Sequence, residues 1–236
     1  PIDTNTFAAW SSRLVELGPS QFYSDTYFSD YPPGILYLFW FSGELCHRLG
    51  MVVTRSGLGL GLLFLPIMLC DIGLCALIWR RARQKLGKMP ALALLLIMAF
   101  HPVLFYDTSV WHQVDAVLGL ALAATFILFE EDKKLWAAAN FGFVVLAMPQ
   151  ALMLGPAFAL PFLRPLFDSK TWKKGLLDIG LGAVISFGVI FLLSIPFTGD
   201  QPFAPFQGSG GNWLVDKYFT TASSYPYATV NAHNIY

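Results

Sequence analysis

Long apolar segments constrain this chain more than any other feature of its sequence. A helix that crosses a bilayer needs about 20 apolar residues, within a range of about 17–25. Four segments are clear candidates, and two shorter ones read as a bent pair that meets at Pro149 and Gln150. The sequence therefore predicts an all-α, polytopic membrane helix bundle. Its six predicted spans are 57–79, 89–106, 114–129, 135–148, 151–163 and 175–197.

The composition supports a membrane protein and excludes some partners. Of the 236 residues, 56% are hydrophobic and only 13% are charged, whereas a soluble domain carries about 25% charged residues. No basic stripe or basic-aromatic array is present, so we expect no nucleic-acid partner. The three cysteines lack zinc-type spacing and the four histidines are isolated. We therefore expect no metal site and no cofactor.

The basic residues predict which loops share a side of the membrane. Most of the 15 Lys and Arg residues fall in three loops, 80–88, 133–134 and 164–174, which the positive-inside rule places in the cytoplasm. Residues 1–56, 107–113, 149–150 and 198–236 then face outward. The apolar segment 35–49 contains Glu44, His47 and Arg48, so it is expected to lie in the interface rather than to cross.

Three regions follow from this topology. Residues 1–56 form a first external loop with an amphipathic and an interfacial helix, residues 57–197 form the transmembrane bundle, and residues 198–236 form a second external loop. The last residues resemble a helix about to begin. We therefore expect a fragment of a longer polytopic chain.

The outward-facing segments carry polar and aromatic motifs. Carboxylates, amides and a histidine gathered at one membrane surface suggest a site that acts on a lipid-linked substrate. The motifs are Asp3–Trp10, Asp30-Tyr-Pro-Pro33, Trp111-His-Gln-Val-Asp115, Pro149-Gln150 and the segment 225–234, which includes Asn231 and His233.

Asp3 has two interpretations. A short amphipathic helix is predicted over 6–17, with Phe7, Trp10, Leu14 and Leu17 along one face. Asp3 would lie just before its first turn, where a carboxylate can cap free backbone N–H groups. A catalytic base at this position is the other interpretation.

The remaining polar residues are equally open to structural explanations. Asp30 and Tyr31 precede two prolines that restrict the backbone and predict a turn. Asp115 suits the positive end of the next helix dipole, but capping does not explain His112 or Gln113. Asp71, inside a predicted span, indicates either function or a hydrogen bond between helices.

The order of these motifs resembles integral-membrane glycosyltransferases of the GT-C fold. It is most similar to bacterial relatives of the endoplasmic-reticulum glucosyltransferases that use dolichyl-phosphate glucose. Those enzymes share an Asp-x6-Trp near the start of the first external loop, a following Asp-Tyr-Pro-Pro and a later His-x-Gln. The resemblance spans nearly the whole chain, although the family has a transmembrane helix before this loop and more helices after it.

The resemblance implies a function and a site. Asp3 would be the catalytic general base, Asp30 and Tyr31 would shape its pocket, and His112 with Gln113 would face the donor head group. The donor would be a polyprenyl-phosphate sugar and the acceptor a glycan, lipid or protein. The expected location is a bacterial cytoplasmic membrane, with the site on the extracytoplasmic side. The other substrate-binding candidates are Asp115, Gln150, Lys217, Asn231 and His233.

Further residues are candidates from their chemistry. A departing phosphate needs cations or N–H donors, for which Lys217, His112, Arg13 and His233 are available. Trp10, Tyr106, Trp111 and Trp213 could stack on a sugar, although aromatics at membrane interfaces are usually belt residues. The alternatives to an enzyme are a transporter or lipid flippase, and a non-catalytic subunit of an envelope-glycan assembly complex.

Overall fold

The structure is a computed structural model that describes residues 2–24, 26–53, 57–199 and 212–223. These residues form ten α-helices, and no strand occurs within the described ranges. The helices are α1 (Ile2–Leu17), α2 (Pro33–Arg48), α3 (Gly57–Leu86), α4 (Lys88–Ala99), α5 (Pro102–Tyr106), α6 (Asp115–Glu130), α7 (Lys134–Ala147), α8 (Gly155–Leu163), α9 (Trp172–Ser194) and α10 (Trp213–Ser223). The prediction of an all-α chain is confirmed over the described residues.

Three helical stretches are long and apolar enough to cross a membrane. They are Gly57–Leu86, Lys88–Trp111 and Trp172–Phe197. Helices α6, α7 and α8 are shorter than the roughly 20 residues that a span needs, so six spans stay a prediction. The predicted span 89–106 is interrupted after Ala99, because Pro102 disfavours helical geometry at the residue before it.

Helix α1 corrects two details of the predicted amphipathic helix. It begins at Ile2, so Asp3 lies within the first turn and not before it. A carboxylate is favourable there because it faces the positive end of the helix dipole. Phe7, Trp10 and Leu14 are buried, but Leu17 is 41% exposed and does not belong to the buried face.

Helix α2 begins at Pro33, as the double proline predicts, and lies across the ends of other helices. A Cβ atom on Gly34 would lie 2.5 Å from the backbone nitrogen of Ala147, the last residue of α7. The Tyr37 hydroxyl donates to the carbonyl of Leu193 near the end of α9, at 2.8 Å. The Ser42 hydroxyl donates to the carbonyl of Leu63 near the start of α3, at 3.0 Å. These contacts fit a helix that lies over the bundle.

The bundle therefore has two distinct ends. At the α1–α2 end, buried residues of α1 and α2 join one core cluster with Val114 and Phe197. At the opposite basic end, Arg81 and Lys85 of α3 contact Glu130, the last residue of α6, at 2.7 and 2.5 Å. The loops predicted to face outward thus meet at the first end, and basic residues meet carboxylates at the second.

Candidate functional site

Asp3 and Gln113 meet at the α1–α2 end. The Gln113 side-chain nitrogen, Nε2, donates a hydrogen bond of 2.7 Å to Oδ2 of Asp3. The two residues are 110 positions apart in the chain. One oxygen of the Asp3 carboxylate is therefore held in place by Gln113.

The local backbone at His112 brings Gln113 to Asp3. A π-helical turn runs over Asp107–Trp111, and His112 then adopts the left-handed conformation, with φ 62° and ψ 47°. The Gln113 backbone N–H donates to the Asp107 carbonyl at 3.0 Å, which closes the turn. Left-handed geometry is uncommon for a residue with a side chain, although histidine is enriched there. Strain of this kind is concentrated at functional sites.

His112 directly precedes Gln113 in the chain and lies in a partly apolar environment. Its ring centroid is 5.0 Å from that of Phe64 on α3. Burial lowers the pKa of His112 below its ordinary value, so the imidazole is neutral at pH 7. Its Nδ1 atom is buried and has no partner among the described residues. A neutral imidazole can donate from one nitrogen and accept at the other.

Thr4 is a second polar residue beside Asp3 whose hydrogen bonding is incomplete. It is 2% exposed, and its hydroxyl oxygen has no partner within the described part of the chain. Buried polar atoms without partners are rare in native proteins. Thr4, next to Asp3 in the chain, and His112, next to Gln113, therefore each have a buried polar atom without a partner in the described structure. The sequence did not indicate Thr4, because a threonine on an apolar helix face has no distinctive pattern.

The segment around Asp30 and Tyr31 packs against α1, one to two helical turns after Asp3. The Tyr31 ring contacts Phe7 and Trp10, with centroids 6.1 and 5.6 Å apart. The Tyr31 carbonyl accepts a hydrogen bond of 2.8 Å from the hydroxyl of Tyr23. Through Phe7, which is four residues after Asp3, the Asp-Tyr-Pro-Pro motif packs against the helix that carries the carboxylate.

Helix α10 brings Lys217 to the same loop. The Lys217 ammonium donates to the carbonyl of Ser29 and lies 5.3 Å from the centroid of the Tyr23 ring. Burial lowers the pKa of Lys217, and the nearby Asp30 carboxylate acts in the opposite direction. Lys217 therefore joins α10 to the first loop in this structure.

Several predicted residues have other roles or positions. Arg13 donates to the carbonyls of Phe22 and Gln21 at 2.8 and 2.9 Å, so it stabilises the loop after α1. Asp115 and Gln150 are exposed, and no hydrogen bond joins either to Asp3 or Gln113 in the described structure. Asn231 and His233 lie outside the described residues.

The aromatic residues divide into two groups. Trp10 is 1% exposed and its indole N–H donates to the Phe28 carbonyl at 3.0 Å. Trp213 is 5% exposed, and its indole N–H donates to the Thr198 hydroxyl at 3.3 Å. The suggestion that these two stack on sugar is therefore wrong, because their rings are covered by protein. Tyr106 and Trp111 are each more than half exposed, so stacking of these two rings on a sugar stays a prediction.

Asp71 of α3 lies near Thr108, which is 3% exposed and belongs to the π-helical turn. Both interpretations of Asp71, function and a hydrogen bond between helices, stay predictions. Asp71 borders a cavity of 210 Å³ between α3 and the Lys88–Trp111 stretch. No group of three or more His, Cys, Asp or Glu side chains in the described ranges is placed to hold a metal ion.

Comparison with known proteins does not identify a family. No family model matches the chain, and no curated protein or solved structure is significantly similar to it. The described geometry defines a helical protein with three stretches able to cross a membrane and a carboxylate–amide pair at one end of the bundle. The function of this site must therefore be inferred from the chemistry of its residues.

Proposed function

We propose that this protein is a membrane glycosyltransferase of the GT-C type that uses a polyprenyl-phosphate sugar as donor. The observation that carries the proposal is the hydrogen bond between Asp3 and Gln113. It joins two motifs that the glycosyltransferase resemblance had marked as functional, across 110 residues of chain. The chain neighbours of the two residues, Thr4 and His112, each have a buried polar atom without a partner among the described residues, and a ligand that supplies the missing partner would explain such rare atoms.

The membrane setting supports a lipid-linked substrate. Three helical stretches are long and apolar enough to cross a bilayer. The Arg and Lys clusters of α3 lie at the end opposite the Asp3–Gln113 pair. Since the positive-inside rule directs basic ends to the cytoplasm, the pair lies on the extracytoplasmic side in this proposal. A donor carried by a membrane lipid can reach such a site from the bilayer.

The proposed reaction needs a base for the acceptor hydroxyl. Gln113 fixes Oδ2 of Asp3, and Oδ1 takes the proton as the acceptor oxygen attacks the anomeric carbon. The bond between that carbon and the phosphate oxygen breaks, and polyprenyl phosphate leaves with the electron pair. General-base catalysis of this kind typically accelerates a reaction by about 10²–10⁴-fold.

The leaving phosphate needs hydrogen-bond donors. His112 is the first candidate, because it directly precedes Gln113 in the chain and its buried Nδ1 atom has no partner among the described residues. A preorganised donor is most effective where charge develops in the transition state. Lys217 is second, because its ammonium already donates to the Ser29 carbonyl and would have to exchange that partner for the phosphate.

The test is a transfer assay in membranes that contain the protein. A panel of radiolabelled polyprenyl-phosphate sugars is supplied, and transfer to endogenous acceptors is measured for wild type and Asp3→Asn. We expect at least one donor to be used, and we expect Asp3→Asn to lower transfer about 10²–10⁴-fold at equal expression.

The matched control is Asp132→Asn at the basic end. Asp132 is exposed and adopts a positive φ that asparagine also tolerates, so this variant is expected to keep full activity. Equal transfer by wild type and Asp3→Asn would remove Asp3 from the mechanism. Absence of transfer with every donor would favour a transporter, a lipid flippase or a non-catalytic subunit.

A further inference from the structure

A groove between α3, α6 and α7 has no role in the proposed reaction. Its volume is 570 Å³, within the range of about 300–1,000 Å³ that is typical of ligand cavities. Small side chains on two helices make it wide. They are Gly73 and Ala76 of α3, and Ala121 and Ala124 of α6.

The interior of the groove is suited to an apolar ligand. Asn140 is a polar residue of its wall, and the amide nitrogen of Asn140 already donates to the Ala121 carbonyl at 2.6 Å and to the Thr125 hydroxyl at 2.7 Å. Its donor group is therefore satisfied by protein. The other wall residues include Leu77, Leu120 and Phe143. A hydrocarbon chain could therefore enter the groove without breaking the hydrogen bonds that Asn140 donates.

The length of the groove matches one leaflet of a membrane. Along α3 it extends from Cys70 to Arg80, which is about 15 Å at the α-helical rise. The hydrocarbon core of a bilayer is about 30 Å thick, so the groove covers about half of that thickness. Arg80 then lies at the level of the lipid head groups at the basic end.

Arg80 is a loosely paired cation at this end. Its guanidinium is 3.9 Å from Glu131, and its side chain is 64% exposed. The other carboxylate oxygen of Glu131 is held by Lys133 at 2.7 Å. By contrast, Arg81 contacts Glu130 at 2.7 Å. The guanidinium of Arg80 can therefore turn toward a phosphate without breaking a close ion pair.

We propose that this groove binds an anionic phospholipid, whose acyl chain fills the groove and whose phosphate pairs with Arg80. Basic pockets between helices on the cytoplasmic side of a membrane bind anionic head groups. The inference rests on the membrane placement in the proposed function, and it does not depend on sugar transfer. This site differs from that of the proposed donor, because Arg80 lies at the basic end of the bundle, opposite Asp3.

The test measures lipid binding to the purified full chain in neutral detergent. Phosphatidylglycerol or phosphatidylcholine is added. Native mass spectrometry counts the lipids that the protein retains, and thermal unfolding measures how much each lipid stabilises the protein. We expect tighter binding of phosphatidylglycerol and a higher unfolding temperature with it. Arg80→Gln should weaken that binding about fivefold, the effect of one basic group near an anionic head group.

Three further variants distinguish binding in the groove from general effects of charge and packing. Ala124→Leu fills the groove and should abolish the preference, whereas Ala123→Leu on the same helix should keep it, because Ala123 does not line the groove. Arg83→Gln is the charge control, since Arg83 contacts the Trp79 ring and lies outside the groove.

Three results would overturn the proposal. They are equal binding of the two phospholipids, equal losses in Arg80→Gln and Arg83→Gln, and displacement of phosphatidylglycerol by polyprenyl phosphate at equal concentration. Carbonate extraction of the membranes distinguishes a wrong membrane placement from a wrong lipid site. Extracted protein would refute the membrane placement, whereas retained protein without lipid preference would refute this site alone and leave sugar transfer open.

Discussion

The two ends of the bundle are held by different interactions. At the α1–α2 end, aromatic rings such as Phe7 and Phe39, with centroids 4.8 Å apart, pack in a buried cluster. At the basic end, Arg81 and Lys85 contact Glu130 through side chains that are a quarter to a half exposed. Buried packing fixes positions, whereas exposed ion pairs contribute little to stability. A precisely positioned site is therefore expected at the α1–α2 end.

Removal of a buried aromatic ring at the α1–α2 end should have the largest effect on stability. Trp10→Ala is expected to destabilise the fold by about 3–5 kcal/mol, the usual cost of a large-to-small change in a core. It also removes the hydrogen bond from the indole to the Phe28 carbonyl. Thermal unfolding in detergent measures the loss.

Trp136 provides the matched control for Trp10. It lies near the start of α7, toward the basic end, and is 71% exposed. Trp136→Ala should therefore leave the unfolding temperature almost unchanged. A loss as large as that of Trp10→Ala would contradict the assignment of the tightly packed core to the α1–α2 end.

A change in pH should alter folding stability through His112 at the α1–α2 end. Burial lowers the pKa of His112 in the folded protein, so the unfolded chain binds a proton first as the pH falls. Folding stability should therefore decrease as the pH drops below about 6.5, the ordinary histidine pKa. The decrease should end once the pH has passed the lowered pKa of folded His112.

Unfolding temperatures between pH 7.5 and pH 5.5 measure this effect. His112→Asn should remove the histidine share of the decrease, and asparagine tolerates the left-handed backbone at this position. His101→Asn should keep the decrease, because His101 is exposed. An unchanged pH profile in His112→Asn would mean that burial of this imidazole is not the cause.

The smallest expected effect comes from an ion pair toward the basic end. Lys134 and Asp178 are 3.4 Å apart with side chains about one-fifth exposed. Asp178→Asn should cost about 0–1 kcal/mol, and the difference from wild type should shrink in 1 M salt, where charges are strongly screened. A cost comparable to that of Trp10→Ala would show that this pair fixes the bundle.

Local patterns predicted local structure well. The helical spacing of Phe7, Trp10 and Leu14 predicted the buried face of α1, and the double proline predicted the start of α2. The break before Pro102 was missed, although the backbone restriction that a proline imposes on the preceding residue could have indicated it.

Long-range contacts were less predictable. The resemblance placed Asp3 and Gln113 in one site, but residue spacing could not show that their side chains meet. Nothing in the sequence indicated that Lys217 contacts a backbone carbonyl, since any donor can satisfy such a group. Thr4 was also missed, because the sequence does not show that its hydroxyl is buried without a partner among the described residues.

The most direct test of the central claim is a double-mutant cycle on sugar transfer with Asp3→Asn, Gln113→Leu and the double variant. If Gln113 acts by holding Oδ2 of Asp3, the double variant should be no slower than Asp3→Asn alone, because the two residues act as a unit. Losses that multiply in the double variant would contradict the account, since Gln113 would then act independently of Asp3.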